Sequence, residues 1–347
     1  MLKKQIIILF ILAILFISPL SEAADLSLTD AVKLAEKNNK DLKIAEFEQQ
    51  ISELELIKTR AENNAAEINS ESLKAEIRFF NNSENYRSKK SNIIKSVIND
   101  YLRLLSLAEE KKAEKLKLEV EARLLAEMEK RFQLKDINRR ELTEQQNDYR
   151  EKQIIVEDLE NNYQLQKLNF KNELGLQNEI ELESVKEINY WNIKETQILK
   201  SAFDNSFLLK IAESETKLAE IENKVSNIDA AEIDQKIAEI SIEKAEKNYE
   251  NEKEELENQI KAEYLTLTQA EAKIEVQKER KDRAENVYQQ SLKEYDLGII
   301  TKTAVLETEA AFLTQKYQYL NSILDYYQAA EELAQTAGLE AGVILND

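Results

Sequence analysis

Acid–base and nucleophilic chemistry has little to work with in this sequence. None of its 347 residues is a histidine or a cysteine. Imidazole catalysis, thiolate attack, disulfides and the usual zinc ligand sets are therefore excluded. What remains is carboxylate: the 67 Asp and Glu residues could formally supply the paired acid and base of glycoside hydrolysis. On charged helical faces such pairs recur by chance, and a charged run on a helix is first of all a solvated face. The sequence thus predicts no enzyme: no catalytic residue, no metal site and no cofactor. Tyr317, Tyr319, Tyr326 and Tyr327 could form a strip for stacking a ligand, but their helical spacing reads as packing between neighbouring helices.

The elements that position any functional surface must be helices. A third of the residues are charged, and the chain has four glycines and a single proline, Pro19. That profile belongs to long helices and coiled coils. The N-terminus stands apart. Lys3 and Lys4 precede an apolar run, 6–17, that is short for a bilayer span; Pro19 breaks it, and Ser21 and Ala23 are small residues where a signal peptidase reads. Residues 1–23 read as a signal peptide, cleaved to leave an exported chain starting at Ala24; an uncleaved anchor is the alternative. Cleavage removes two lysines and one glutamate, leaving 46 basic against 66 acidic residues. So acidic a surface repels nucleic acid and anionic lipid.

Set against itself at an offset of 163, the sequence matches residues 85–176 to 248–339 without a gap. Asn85-Tyr86 meets Asn248-Tyr249, Phe132 meets Tyr295, Leu134 meets Leu297, Glu144 meets Glu307 and Gly175-Leu176 meets Gly338-Leu339. The mature chain reads as two tandem copies, 24–177 and 178–347. In each, a short helix starts near Ser27 or Trp191 and runs through "KIAE" at 43–46 or 210–213. After a polar interval, a helix of about 48 residues (85–132, roughly 72 Å) and one of about 34 (to 174, roughly 51 Å) follow. Tyr249, Leu256, Ile260, Leu267 and Ile274 mark the apolar stripe. The predicted fold class is all-α: two tandem antiparallel coiled-coil hairpins with little or no strand. Gly298 falls where the second hairpin turns and one helix must end in a left-handed residue; Thr301 or Thr303 is the expected N-cap of the returning helix.

"LSLTDAVKLAEKNNKDLKIAE" (26–46), "RFQLKDINRRELTEQQNDY" (131–149), "YDLGIITKTAVLETEAAF" (295–312), the two "LGL/AGL" endings and the twofold repeat together resemble the TolC-like outer-membrane efflux family. The resemblance covers nearly the whole mature chain. It implies a homotrimer forming a hollow periplasmic cylinder, whose hairpin tips meet a membrane-fusion adaptor and an inner-membrane pump. Phe132, Leu134, Ile137 and Leu142 would form the first tip, and Tyr295, Leu297, Gly298, Thr301 and Val305 the second. Glu141 and Glu307 stand where the family places an acidic ring at the entrance; they equally suit the first helical turn, where negative charge favours the helix dipole. Two departures show: Ala304 replaces an acid that some members carry, and Lys135 stands where the first tip's glycine is expected. Trp191 would anchor a collar around the cylinder.

The family also inserts a β-hairpin into each copy, and these close into a barrel across the outer membrane. The corresponding intervals here are 63–82 and 226–245. Ala230, Ile233, Ile237 and Ile240 recur at helical spacing, as do Ala65, Ile68, Ala75 and Phe79 with Ser72 filling the gap. Asn64 and Asp229 read as N-caps restarting a helix. Both barrel hairpins are therefore expected to be helix–turn–helix closures, leaving the protein peripheral to the membrane. Two functions stay open: a periplasmic duct of a tripartite export system, passing substrate to a separate outer-membrane protein, or an exported coiled-coil spacer without transport activity.

Overall fold

The structure, a computed structural model, describes residues 25–62, 69–185, 188, 190–226 and 231–345. The expected signal peptide lies outside them, as do Asn64, Ala65, Ile68, Asp229 and Ala230. Eight helices carry the fold among the described residues. They are α1 (Leu28–Asn38), α2 (Lys40–Glu62), α3 (Ser70–Gln133), α4 (Arg139–Glu173), α5 (Glu195–Asn205), α6 (Phe207–Ser226), α7 (Glu232–Asp296) and α8 (Lys302–Thr336). The only strands described, β1 (Asp25–Leu26) and β2 (Glu181–Leu182), pair in parallel; a short 3₁₀ turn, Val343–Leu345, follows α8.

Helix lengths repeat down the chain: 11, 23, 64 and 35 residues, then 11, 20, 65 and 35. Two boundaries differ from the sequence reading. The short first helix of each copy does not run on through "KIAE" but stops at Asn39 or Ser206. There Asn39 Oδ1 accepts from the Leu42 amide at 2.9 Å and Ser206 Oγ from that of Leu209 at 3.2 Å, so each restarts a helix as its cap. The long helix begins at Ser70, fifteen residues ahead of Asn85, capped by Asn69, whose Oδ1 accepts from the Ser72 amide at 2.9 Å. At 64 residues α3 spans about 96 Å.

In both intervals read as barrel replacements the described residues 70–82, 226 and 232–245 are helical, with Asn69 and Ala231 as N-caps. Ser72 and Ala75 are buried and Phe79 half-buried, so the predicted period faces inward there. Ile233, Ile237 and Ile240 share a helical face as expected, yet all three are exposed.

In the half that holds the hairpin tips the helices stand side by side in the order α4–α3–α8–α7; in the other half the order is α2–α3–α6–α7. Ile260, Leu267 and Ile274 of the predicted stripe are buried, with Leu256 packed against the core. The densest packing lies at mid-length, where short and long helices meet. There Tyr101, 1% exposed, places its hydroxyl 2.8 Å from the carbonyl oxygens of Leu26 and Glu183, tying the strand pair to α3. The Tyr326 hydroxyl accepts from the Trp191 amide at 2.6 Å, so the connector between the copies is held against α8. Gly338 closes α8 with φ +68°; a Cβ there would meet Asn205 Cβ at 2.7 Å, so close approach as well as dihedral demands glycine.

Candidate functional site: the two hairpin tips

At each tip the same six-residue closure recurs. α3 ends with the Lys135 amide donating to Phe132 O at 2.9 Å and the Asp136 amide to Arg131 O at 2.9 Å. α7 ends with the Gly298 amide donating to Tyr295 O and the Ile299 amide to Glu294 O, both at 2.8 Å. This paired pattern is the Schellman motif, which requires a left-handed residue. Gly298 has φ +73°, and Lys135, the one non-glycine residue with positive φ among those described, has φ +63°. The first turn therefore closes without its glycine by the same geometry, with lysine accepting a backbone conformation that costs about 1–2 kcal/mol. Arg131 Nε binds Asp136 Oδ2 at 2.8 Å across this turn, and that bond pushes the guanidinium pKa further up.

The returning helices start from aligned positions. Asn138 Oδ1 accepts from the amides of Arg140 (2.9 Å) and Glu141 (3.1 Å), and Glu141 Oε2 accepts from the Asn138 amide at 3.1 Å. This is a capping box. Thr301, rather than Thr303, caps α8, its hydroxyl accepting from the Ala304 amide at 3.2 Å. The two acidic candidates thus separate. Glu141 is occupied in the first turn of α4, whereas Glu307 is exposed in the second turn of α8 and makes no ion pair among the described residues.

The hydrophobic candidates divide by burial. Leu142 and Val305, 6% and 0% exposed, are buried in the first turns of the returning helices rather than presented to solvent. Leu134 and Leu297 sit on the outside, 80% and 75% exposed, beside the exposed Tyr295, Gly298 and Thr301. Phe132 and Ile137 are half-buried. Each tip aromatic carries a cation from the start of the returning helix: Arg139 lies 5.9 Å from the Phe132 ring and Lys302 5.9 Å from that of Tyr295. Sequence reasoning missed this pair, although the aligned Phe/Tyr and Arg/Lys seven residues apart were its signal. It also missed Ile299, exposed beside Leu297. The tips are therefore hydrogen-bonded turns that present apolar side chains to solvent, Leu134 at the first and Tyr295, Leu297 and Ile299 together at the second.

Residues 226–339, which include the second tip, match the family profile described as Outer membrane efflux protein. No curated protein sequence matches the chain. Three solved structures share its fold. The Campylobacter jejuni CmeC outer membrane channel is 14% identical, with 90% of this chain and 86% of that chain covered and a TM-score of 0.61. The outer membrane protein VceC of Vibrio cholerae is 12% identical, with 90% and 96% covered and a TM-score of 0.58. The open state of the Neisseria gonorrhoeae MtrE outer membrane channel is 11% identical, with 90% and 89% covered and a TM-score of 0.54. Residues 226–339 thus match the outer membrane efflux protein profile, and the helical fold of these channels extends through both halves of the chain.

Proposed function

We propose that the protein is the periplasmic helical duct of a tripartite export system, assembled from three copies and docking a membrane-fusion adaptor through its tips. The adaptor in turn would join it to an inner-membrane pump. One observation carries the reading. Two equivalent turns at the same end each present an exposed leucine, Leu134 or Leu297, eight residues before a buried apolar residue, Leu142 or Val305. At the second tip Tyr295, Leu297 and Ile299 are exposed within five residues of one another, and a grouped apolar patch of this kind suits an interaction site.

Assembly in threes draws support from the open sides of the helix row. In the tip half, α4 and α7 stand at opposite ends of the row. On α7, Leu265, Val276 and Val287 are exposed and lie eleven residues apart; on α4, Ile154 and Leu165 share that spacing and Leu168 follows. Eleven residues close on three helical turns, so each set forms a straight stripe. Measured from the tip, the α7 residues stand at about 14, 30 and 46 Å and the α4 residues at about 23, 39 and 44 Å. The α4 set falls largely between the α7 positions, which suits α4 of one copy packed antiparallel against α7 of the next. In the other half, α2 brings Ile44, Phe47, Ile51, Leu54 and Ile57 to one open side and α7 brings Ile233, Ile237 and Ile240 to the other.

The spacer reading rests on a separate observation. No described helix is long and apolar enough to cross a membrane, and the described strands are two residues each. On the duct reading, helix rather than strand in the described residues 70–82 and 232–245 favours a periplasmic protein peripheral to the outer membrane that hands cargo to a separate outer-membrane protein. A photo-crosslinking residue at position 297, and separately at 134, decides between duct and spacer. The duct reading expects adducts identified by mass spectrometry as a periplasmic adaptor. Self-adducts alone, from fully assembled protein, would establish the spacer.

A further inference from the structure

Glu331, on α8, has no exposed surface, an unusual place for a carboxylate. Its Oε1 accepts from the Ser91 hydroxyl of α3, and its Oε2 accepts from the Gly342 amide in the segment that follows α8, both at 3.0 Å. One side chain thus ties that segment, residues 338–345, to the long helices. The segment lies directly on an apolar face: Ile94 and Ile344 are 0% and 4% exposed, and a Cβ at Gly342 would meet Ile94 Cδ1 at 3.2 Å.

The cations around Glu331 are committed elsewhere. On α3, Lys95 pairs with Glu332 at 2.6 Å and donates to Gln335 at 3.0 Å. Lys90 lies between Glu36 of α1 and Glu340 of the segment, at 3.6 and 3.5 Å. Arg87, against Gly338, is paired with Glu84. From α7, Glu263 faces the Lys95–Glu332 pair and adds negative charge. Burial therefore outweighs the two hydrogen bonds and raises the Glu331 carboxyl to about 7. Protonated, the group keeps both contacts, since Ser91 Oγ can accept the acid proton while Oε2 still accepts from Gly342. Ionised, it is a charge with no cation of its own in a site closed to solvent.

One wall of that site can yield. Helices α3 and α8 are 64 and 35 residues long and packed along their lengths. The segment after α8 has a single 3₁₀ turn, and Gly338 and Gly342 give it two pivots at φ +68° and +79°. We propose that Glu331 is a pH-sensitive latch: protonated, it holds residues 338–345 against α3, and on ionisation it releases them and bares the apolar face around Ile94. Because the closed state raises the carboxyl pKa, closure is fully supported below about 4.5 and weakens as pH rises through about 7. The device lies away from the tips and is independent of any partner docked there.

Native-state hydrogen exchange of the mature full-length protein between pH 5.5 and 8, corrected for the base catalysis of chemical exchange, tests this. The amides to follow are Gly342 and Leu345, which donate to Glu331 Oε2 and Gly342 O. Their opening constant is expected to rise at least about fivefold over that range, to stay flat in Glu331→Gln, and to leave Ile299 at the tip unmoved. A smaller rise in the unaltered protein, or a comparable rise in Glu331→Gln, overturns the proposal. So does an equal rise at Ile299, which would mean loosening of the whole molecule. If Glu331→Gln melts early by circular dichroism, Ser91→Ala takes its place. It removes a bond that favours the ionised form, so the rise should shift to higher pH; an unshifted rise contradicts a latch at Glu331.

Discussion

The left-handed residue at each tip gives two opposed substitutions whose effects can be worked from the structure. Gly298 has φ +73°, and a Cβ there would meet nothing within 4 Å, so no clash contributes and only the dihedral matters. Holding an L-residue in that region costs about 1–2 kcal/mol. Replacing glycine also removes conformational freedom from the unfolded chain, which returns about 0.4–1 kcal/mol. Gly298→Lys should therefore destabilise the second tip by about 0.5–1 kcal/mol, and Gly298→Val by more because its side chain branches at Cβ. Lys135→Gly should stabilise the first tip by about the same 0.5–1 kcal/mol, since it releases a lysine held at φ +63°. Native-state hydrogen exchange of the amides that close the turns, Asp136 and Ile299, reads these changes locally, where global unfolding of an assembled rod would not. Protection at Ile299 should fall roughly two- to fivefold in Gly298→Lys, and that at Asp136 should rise by a similar factor in Lys135→Gly. Unchanged protection at Ile299 in Gly298→Val, or a loss at Asp136 in Lys135→Gly, would refute the assignment of these turns.

Four further outcomes are expected. Asn138→Ala and Thr301→Ala should each cost about 1 kcal/mol of local stability by removing an N-cap, with the larger loss at Asn138 because Glu141 closes a reciprocal bond there; exchange at residues 140–142 and 303–305 measures both. Glu331 is fully buried between α3 and α8, where desolvation raises its carboxyl pKa to about 7 although the Gly342 amide and Ser91 hydroxyl bind it. A raised carboxyl pKa means that the native state holds the proton longer than the unfolded chain, so this group's contribution declines as pH rises from about 4.5 to about 7; denaturation of Glu331→Gln against the parent at pH 4.5 and 8 should show the variant's relative stability improving by up to about 3 kcal/mol at the higher pH. N-terminal sequencing of exported protein should begin at or near Ala24, and an intact Met1 would contradict the cleaved signal. Because the chain has no cysteine, Leu168→Cys with Leu265→Cys should give covalent dimers and trimers on mild oxidation, and exclusively monomeric protein would contradict the packing of α4 on α7 between copies.

The sequence announced its helices through composition and period, and its second tip through one glycine in a chain that has four. A threonine cap at 301 or 303, which the structure settles as Thr301, and the apolar stripe of Ile260, Leu267 and Ile274 followed from the same rules. What it hid has physical causes. Asn39 and Ser206 interrupt helices whose apolar periodicity runs on unbroken, because a side-chain oxygen that caps a helix leaves no trace in hydrophobic pattern. Lys135 hid the first tip's geometry, since the Schellman bonds impose a left-handed dihedral that lysine's preference argues against. Periodicity placed Ile233, Ile237 and Ile240 on one face correctly, but period alone cannot say whether a face meets its own chain or another copy. The depth of Leu142 and Val305 beneath their tips was likewise invisible, because an apolar residue near a turn reads equally as anchor or as docking side chain.

Single-particle electron microscopy of the purified mature protein in detergent-free buffer tests the central claim most directly. The account predicts a hollow cylinder of three copies, with α4 of each copy against α7 of the next and helices α2, α3, α6 and α7 continuing to the end opposite the tips without a β-rim. A solid monomeric rod would contradict the duct, and a strand-built barrel at that end would contradict the helical closure.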